Sequence, residues 1–214
     1  MKKRLIFITL LVLGSIAAGV LLGLWSSRNE ATRTPAHPDI EGLLWPSPRT
    51  LAPFTVTDHL GQPFGLEQMS GKWSLLFFGY THCPDTCPIT LTILKDLYEK
   101  LAAENAAADV QIIFVTVDPA RDTQEQMANY IRYFNDKFIG LTGTGEQITV
   151  LTQQLGVLFY KDDDKEDYAM GHSASVFLIS PAWQLVGVFS PPYNTENMLV
   201  RFKAIRTFVE AAKK

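Results

Sequence analysis

Two apolar runs organise the middle of the chain. Residues 73–80 and 110–117 carry no charged side chain, and each reads as a strand buried on both faces. Between them, Leu91, Leu94, Leu97 and Leu101 recur at helical spacing and predict an amphipathic helix over 89–101. Further on, the pattern predicts a helix over 123–138 capped by Asp122 or Thr123, a short strand at 139–142 and a helix over 146–155. Residues 173–179 and 185–189 read as strands around the hairpin-like Ser180-Pro181-Ala182-Trp183-Gln184, and 194–212 as a closing amphipathic helix. Ahead of the first run, 54–57 and 62–65 flank Asp58-His59-Leu60-Gly61 in a hairpin pattern. Parallel strands joined by crossover helices, followed by an antiparallel hairpin, predict an α/β fold: a mixed sheet with helices on both faces.

The N-terminus follows a different rule. Lys2-Lys3-Arg4 precedes an uncharged stretch from Leu5 to Trp25. As a helix rising about 1.5 Å per residue, that stretch reaches roughly 31 Å, the thickness of a bilayer's hydrocarbon core. Its length favours an uncleaved anchor over a cleaved signal peptide, and the basic flank places everything after it on the exported side, such as a bacterial periplasm. Residues 1–25 are therefore read as basic flank and transmembrane anchor. Residues 26–50, punctuated by Pro35, Pro38, Pro46 and Pro48, are read as a linker, and 51–214 as one domain. A net charge of -3 argues against a nucleic-acid partner. The run Lys161-Asp162-Asp163-Asp164-Lys165-Glu166-Asp167 reads as a solvated loop.

The candidate chemistry lies where the first strand meets the first long helix. Cys83 and Cys87 are the chain's two cysteines. A disulfide between them would close too short a loop to act as a useful staple in an oxidising compartment. A helix N-terminus favours thiolate, which is both the nucleophilic and the metal-binding form, so redox work and metal binding both stay open. Dithiol oxidoreductases of the thioredoxin type space their thiols by two residues, whereas Pro84, Asp85 and Thr86 intervene here. Of the four histidines, His37 and His59 read as incidental surface residues. His82 adjoins Cys83, and extended backbone would turn it to the opposite face. His172 is the candidate third ligand, since with two soft thiolates an imidazole suits copper, with zinc as competitor; the residues alone leave open the commoner alternative, a structural histidine ahead of a strand. Asp118 reads first as a turn residue and Asp122 as a cap, with a ligand-orienting role for Asp118 as the sharper alternative.

Phe78-Gly79-Tyr80-Thr81-His82-Cys83-Pro84-Asp85-Thr86-Cys87-Pro88 resembles the signature of the Sco/SenC family of membrane-anchored copper chaperones. Residues 115–123, 171–179 and 54–72 resemble three further motifs of that family, in order. The resemblance implies a thioredoxin-like fold, Cu(I) or Cu(II) held by Cys83, Cys87 and His172, and service to the dinuclear copper centre of cytochrome c oxidase. The partner it implies is the copper-bearing oxidase subunit or another copper chaperone. Such a protein is not an enzyme in the turnover sense. Gly171 stands where the family usually has an acidic residue, and Met170 beside it is a soft side chain whose expected work is packing. The alternative is a thiol–disulfide oxidoreductase that keeps the acceptor's copper-ligand cysteines reduced through Cys83 and Cys87. A peroxidase reading of Thr81-x-Cys83 is weaker, because the sequence places no arginine to stabilise the leaving oxygen.

Overall fold

The computed structural model describes residues 14–16, 18–20, 44–162 and 168–212. The chain divides into two units, 1–37 and 38–214. In the first, residues 14–16 and 18–20 are helical; most of the expected anchor and the linker residue His37 lie outside the described residues. Among the described residues, no helix is long and apolar enough to cross a membrane.

The second unit is built on eight strands: β1 (Leu44–Thr50), β2 (Val56–Asp58), β3 (Pro63–Phe64), β4 (Trp73–Gly79), β5 (Val110–Thr116), β6 (Ile139–Thr142), β9 (Val176–Ile179) and β10 (Gln184–Phe189). They form one sheet in the order β1-β10-β9-β4-β5-β6-β2-β3. β4, β5 and β6 are mutually parallel, and the remaining pairings are antiparallel. The two apolar runs are the central strands β4 and β5, and every residue of both is buried. β7 (Phe159–Lys161) and β8 (Met170–His172) form a separate two-stranded antiparallel sheet.

Among the described residues five helices complete the domain: α1 (Leu66–Met69), α2 (Thr86–Ala103), α3 (Gln124–Phe134), α4 (Gly145–Leu155) and α5 (Thr195–Ala211). On one face, Leu91, Leu94, Leu97 and Leu101 of α2 join Met127 and Ile131 of α3 and Phe202 of α5 in a core with Trp73, Phe77 and Phe114. Ile148, Leu151 and Leu155 of α4 cover the other face, over Phe78, Ile113 and Phe177. Alternating directions of the β4 and β5 side chains feed both cores, so the mixed sheet with helices on each face is present as expected.

Four boundaries that bear on the site or the sheet edge differ from the sequence reading. Residues 44–50, read as the end of the linker, pair with β10 as an edge strand, where prolines are tolerated because outward N–H groups have no partner to lose. α2 starts at Thr86 instead of 89, which puts Cys87 in its first turn and Pro88 at a position that needs no helical N–H. α3 stops at Phe134 because Asn135 leaves helical dihedrals, and the strand expected from 173 begins at Val176. His172 belongs instead to the β7–β8 hairpin, which the sequence reading lacked.

Candidate metal centre

After Gly79 the chain turns through Tyr80–Asp85 into α2. Cys83 sits in this loop, partly exposed, and Cys87 is fully buried. Gly79 makes that burial possible: a Cβ there would stand 2.6 Å from Cys87 Sγ and 2.8 Å from the Phe114 ring. The Cys87 N–H donates to Cys83 Sγ at 3.4 Å. The hydrogen bond from the Cys87 side chain pulls the Cys83 thiol down to about 4, helped by the backbone N–H groups of Cys87 and Asp85, against the opposing effect of burial. Cys87 is pushed up, first by giving that hydrogen bond and then by burial. The pair thus holds one proton near neutrality, on Cys87, and presents Cys83 as the thiolate.

This asymmetry is directly measurable. In the reduced, metal-free protein, iodoacetamide is expected to modify Cys83 at least about tenfold faster than buried Cys87. Because the folded Cys83 value is depressed, the thiolate is present above about pH 4 and is lost as pH falls through that value. The alkylation rate at Cys83 is therefore expected to stay flat from about pH 7 to about pH 5, where an ordinary thiol would slow steeply. Peptide mapping of the labelled protein reads both results.

The third donor arrives on β8. His172 pairs with Phe159 across the hairpin, and its ring stands edge-on to Phe77 and Tyr80 at 6.2 and 6.0 Å. Its Nδ1 lies 3.2 Å from the Ser173 carbonyl oxygen. A carbonyl only accepts, so Nδ1 carries the proton and Nε2 keeps a free lone pair. That Nε2 lies 3.6 Å from Cys87 Sγ. Together, the two sulfurs and an imidazole nitrogen fall within 4.8 Å of one another. A three-coordinate ion with bonds of about 2.3 Å to sulfur spaces its donors by about 4 Å, so a small contraction closes the site.

Asp122 supports the thiol loop from beneath. Fully buried, it accepts hydrogen bonds from Thr81 N–H (3.0 Å), Thr81 Oγ1 (2.6 Å) and Thr116 Oγ1 (2.6 Å). The cap is Thr123, whose hydroxyl accepts from Gln126 N–H. Asp122 therefore holds the loop and does not cap α3, a role the sequence reading missed. Asp118, 4% exposed, accepts from Arg121 Nε at 2.5 Å and from the Tyr168 hydroxyl at 2.7 Å, well beyond the role of a turn residue. The signal available for both was their place in the stretch 115–123 that carries the family resemblance.

A model of the SCO1/SenC family matches residues 46–207. The chain belongs to the SCO1/SenC family. A putative copper-binding protein of Stutzerimonas stutzeri is 38% identical over 157 residues, 73% of this chain and 76% of that protein. The mitochondrial SCO2 homologue of Bos taurus is 38% identical over 148 residues, 68% of this chain and 55% of that protein, so the match spans about half of that longer chain. The crystal structure of copper-bound ScoI from Arabidopsis thaliana shares 34% identity at a TM-score of 0.69, covering 74% of this chain and 99% of that one. The thioredoxin-like α/β fold that the sequence resemblance implied is supported by this kinship.

Within this SCO1/SenC chain the remaining candidates separate clearly. His82 turns away from the thiols: its Nδ1 lies 3.7 Å from Asp122 and its Nε2 3.3 Å from Gln126. His59, read as incidental, accepts from Gly140 N–H at 3.2 Å and donates its own N–H to the Gly140 carbonyl, tying the first hairpin to β6. Met170 packs against the core around Tyr80. Gly171 lies under the Tyr160 ring, which a Cβ would approach to 2.4 Å. The tyrosine thus fills the space that an acidic side chain at 171 would need.

Proposed function

We propose that this chain is a metallochaperone that carries copper on Cys83, Cys87 and His172 and passes it on by ligand exchange. The observation that carries the reading is the convergence of two cysteine sulfurs and one imidazole nitrogen within 4.8 Å, with no fourth His, Cys or acidic donor in that group among the described residues. Soft thiolates hold Cu(I), the imidazole adds a donor that suits Cu(II), and an open coordination position admits an incoming thiolate. Family membership favours the dinuclear copper centre of cytochrome c oxidase as the destination, and a copper-bearing oxidase subunit or another copper chaperone as partner. The apolar stretch from Leu5 to Trp25 supports tethering to a membrane with the domain on the exported side.

Anaerobic titration of the reduced protein is expected to take up one equivalent of copper with thiolate-to-copper absorption. Loading is expected to release about one proton near neutral pH, because Cys87 must ionise to bind. A reduced protein that takes up no stoichiometric copper would defeat the reading.

The unequal thiols favour a second reading, thiol–disulfide exchange. Cys83 thiolate attacks an acceptor disulfide and expels one acceptor thiolate; Cys87, after losing its proton, attacks the Cys83 sulfur and expels the other. The acceptor gains two electrons and is released as two thiolates, which take up the one proton lost by Cys87 and a second from solvent, and Cys83–Cys87 becomes the disulfide. Rapid reduction of a peptide disulfide by the metal-free protein, together with failure of copper uptake, would select this reading over the first.

A further inference from the structure

The three donors come from two parts of one unit. The thiols belong to the loop between β4 and α2, while His172 rides on the β7–β8 hairpin, outside the eight-stranded sheet. Tyr168, two residues before β8, joins the hairpin to the main body. Its hydroxyl donates to Asp118 Oδ1 at 2.7 Å, and the Arg121 guanidinium carbon lies 3.5 Å from its ring centroid. Arg121 in turn donates to Asp118 Oδ2 and also faces the Tyr80 ring at 5.8 Å, the ring against which His172 stands.

The anchoring turn is hydrogen-bonded within itself. Asp118 N–H donates to Thr116 Oγ1, and the Asp118 carbonyl accepts from Arg121 and Asp122 N–H groups. Through Asp122 the same turn holds Thr81 and thus the thiol loop. One five-residue turn, 118–122, therefore sets both halves of the site against each other. Arg121 Nη2 is buried with no hydrogen-bond partner, so a donor is left idle where the guanidinium stacks. Buried polar groups in folded proteins are rarely left that way without a local role.

We propose that Tyr168, clasped by Arg121 and Asp118, is the positioning residue that holds His172 over the two thiols, and so sets how strongly the site prefers Cu(II). The inference rests on the copper reading above for its metal arm. With the clasp closed, the imidazole joins the thiolates; with it open, the hairpin carries His172 away and leaves two sulfurs, a donor set that still suits Cu(I). Apparent affinity falls in proportion to the fraction of molecules with the hairpin closed.

The test compares Tyr168→Phe, which drops the hydroxyl and keeps the ring, with Tyr168→Ala, which drops both, alongside His172→Ala and the double variant Tyr168→Ala/His172→Ala. Tyr168→Ala is expected to weaken Cu(II) binding about tenfold, with Tyr168→Phe between it and the parent, and to leave Cu(I) binding within about threefold. In the His172→Ala background, Tyr168→Ala is expected to add nothing, since there is no imidazole left to position. In the metal-free protein, amide hydrogen exchange across 170–173 is expected to speed up in Tyr168→Ala and less in Tyr168→Phe. Equal weakening of Cu(I) and Cu(II), full additivity with His172→Ala, or unchanged exchange would each overturn the proposal. Should the parent protein take up no copper, the copper reading falls by itself and hydrogen exchange alone decides whether Tyr168 holds the hairpin.

Discussion

His172→Ala is expected to weaken Cu(II) binding by more than about a hundredfold and to change the thiolate-to-copper absorption, while Cu(I) stays bound. Loss of a group that merely orients a ligand costs about 10–100-fold, so loss of the ligand itself exceeds that range. The split between oxidation states follows from the donors. Two thiolates are a sufficient set for Cu(I), whereas Cu(II) favours nitrogen donors and higher coordination. The geometry makes His172 hard to replace. Its Nε2 is the lone pair aimed at Cys87 Sγ, and His82 faces Asp122 and Gln126 instead. Competition titrations with chelators for each oxidation state, beside the absorption spectrum, measure the effect. Unchanged affinity and spectrum in His172→Ala would remove the imidazole from the site.

Asp122→Ala is expected to destabilise the domain by about 2–4 kcal/mol, the cost of leaving buried donors without their acceptor. The carboxylate is fully buried and receives hydrogen bonds from three donor groups: Thr81 N–H, Thr81 hydroxyl and Thr116 hydroxyl. Each is left to find another acceptor when the carboxylate goes, and an unsatisfied buried donor costs about 1–3 kcal/mol. Asp122→Asn keeps the volume and one acceptor oxygen but turns an amide N–H₂ toward donors, so an intermediate loss is expected. Urea denaturation of the metal-free protein checks both values. The loss reaches the site as well: Thr81 is two residues before Cys83, so copper affinity is expected to fall alongside stability. A change in stability below about 0.5 kcal/mol would show that the network carries no weight.

Much of the framework was legible because its signals are local. β4 and β5 announce themselves as uncharged apolar runs, and α2 as leucines at helical spacing. Cys83 and Cys87 were legible from their spacing at a strand-to-helix junction. His172 was harder: its strand is three residues long, its partner strand is equally short, and an acidic run separates them. Only the resemblance to a family singled it out above an ordinary histidine. Asp122 and Tyr168 were illegible for a related reason. The loop that Asp122 holds lies 41 residues away and the carboxylate that Tyr168 meets lies 50 away, and no periodicity within a strand or helix encodes a contact made across the fold. Residues 44–50 were misread because a proline-rich stretch has the composition of a linker, although an edge strand tolerates the same residues.

That edge strand bears on how the protein behaves at high concentration. Open sheet edges invite strands from neighbouring molecules, and long flat ones seed aggregates. Here one border of the sheet is β1, whose Pro46 and Pro48 have no N–H to offer and whose register shifts between Leu44 and Arg49. The other border is β3, two residues long and itself begun by Pro63. Neither border presents an unbroken ladder to a second copy, so the sheet is closed to growth from both sides.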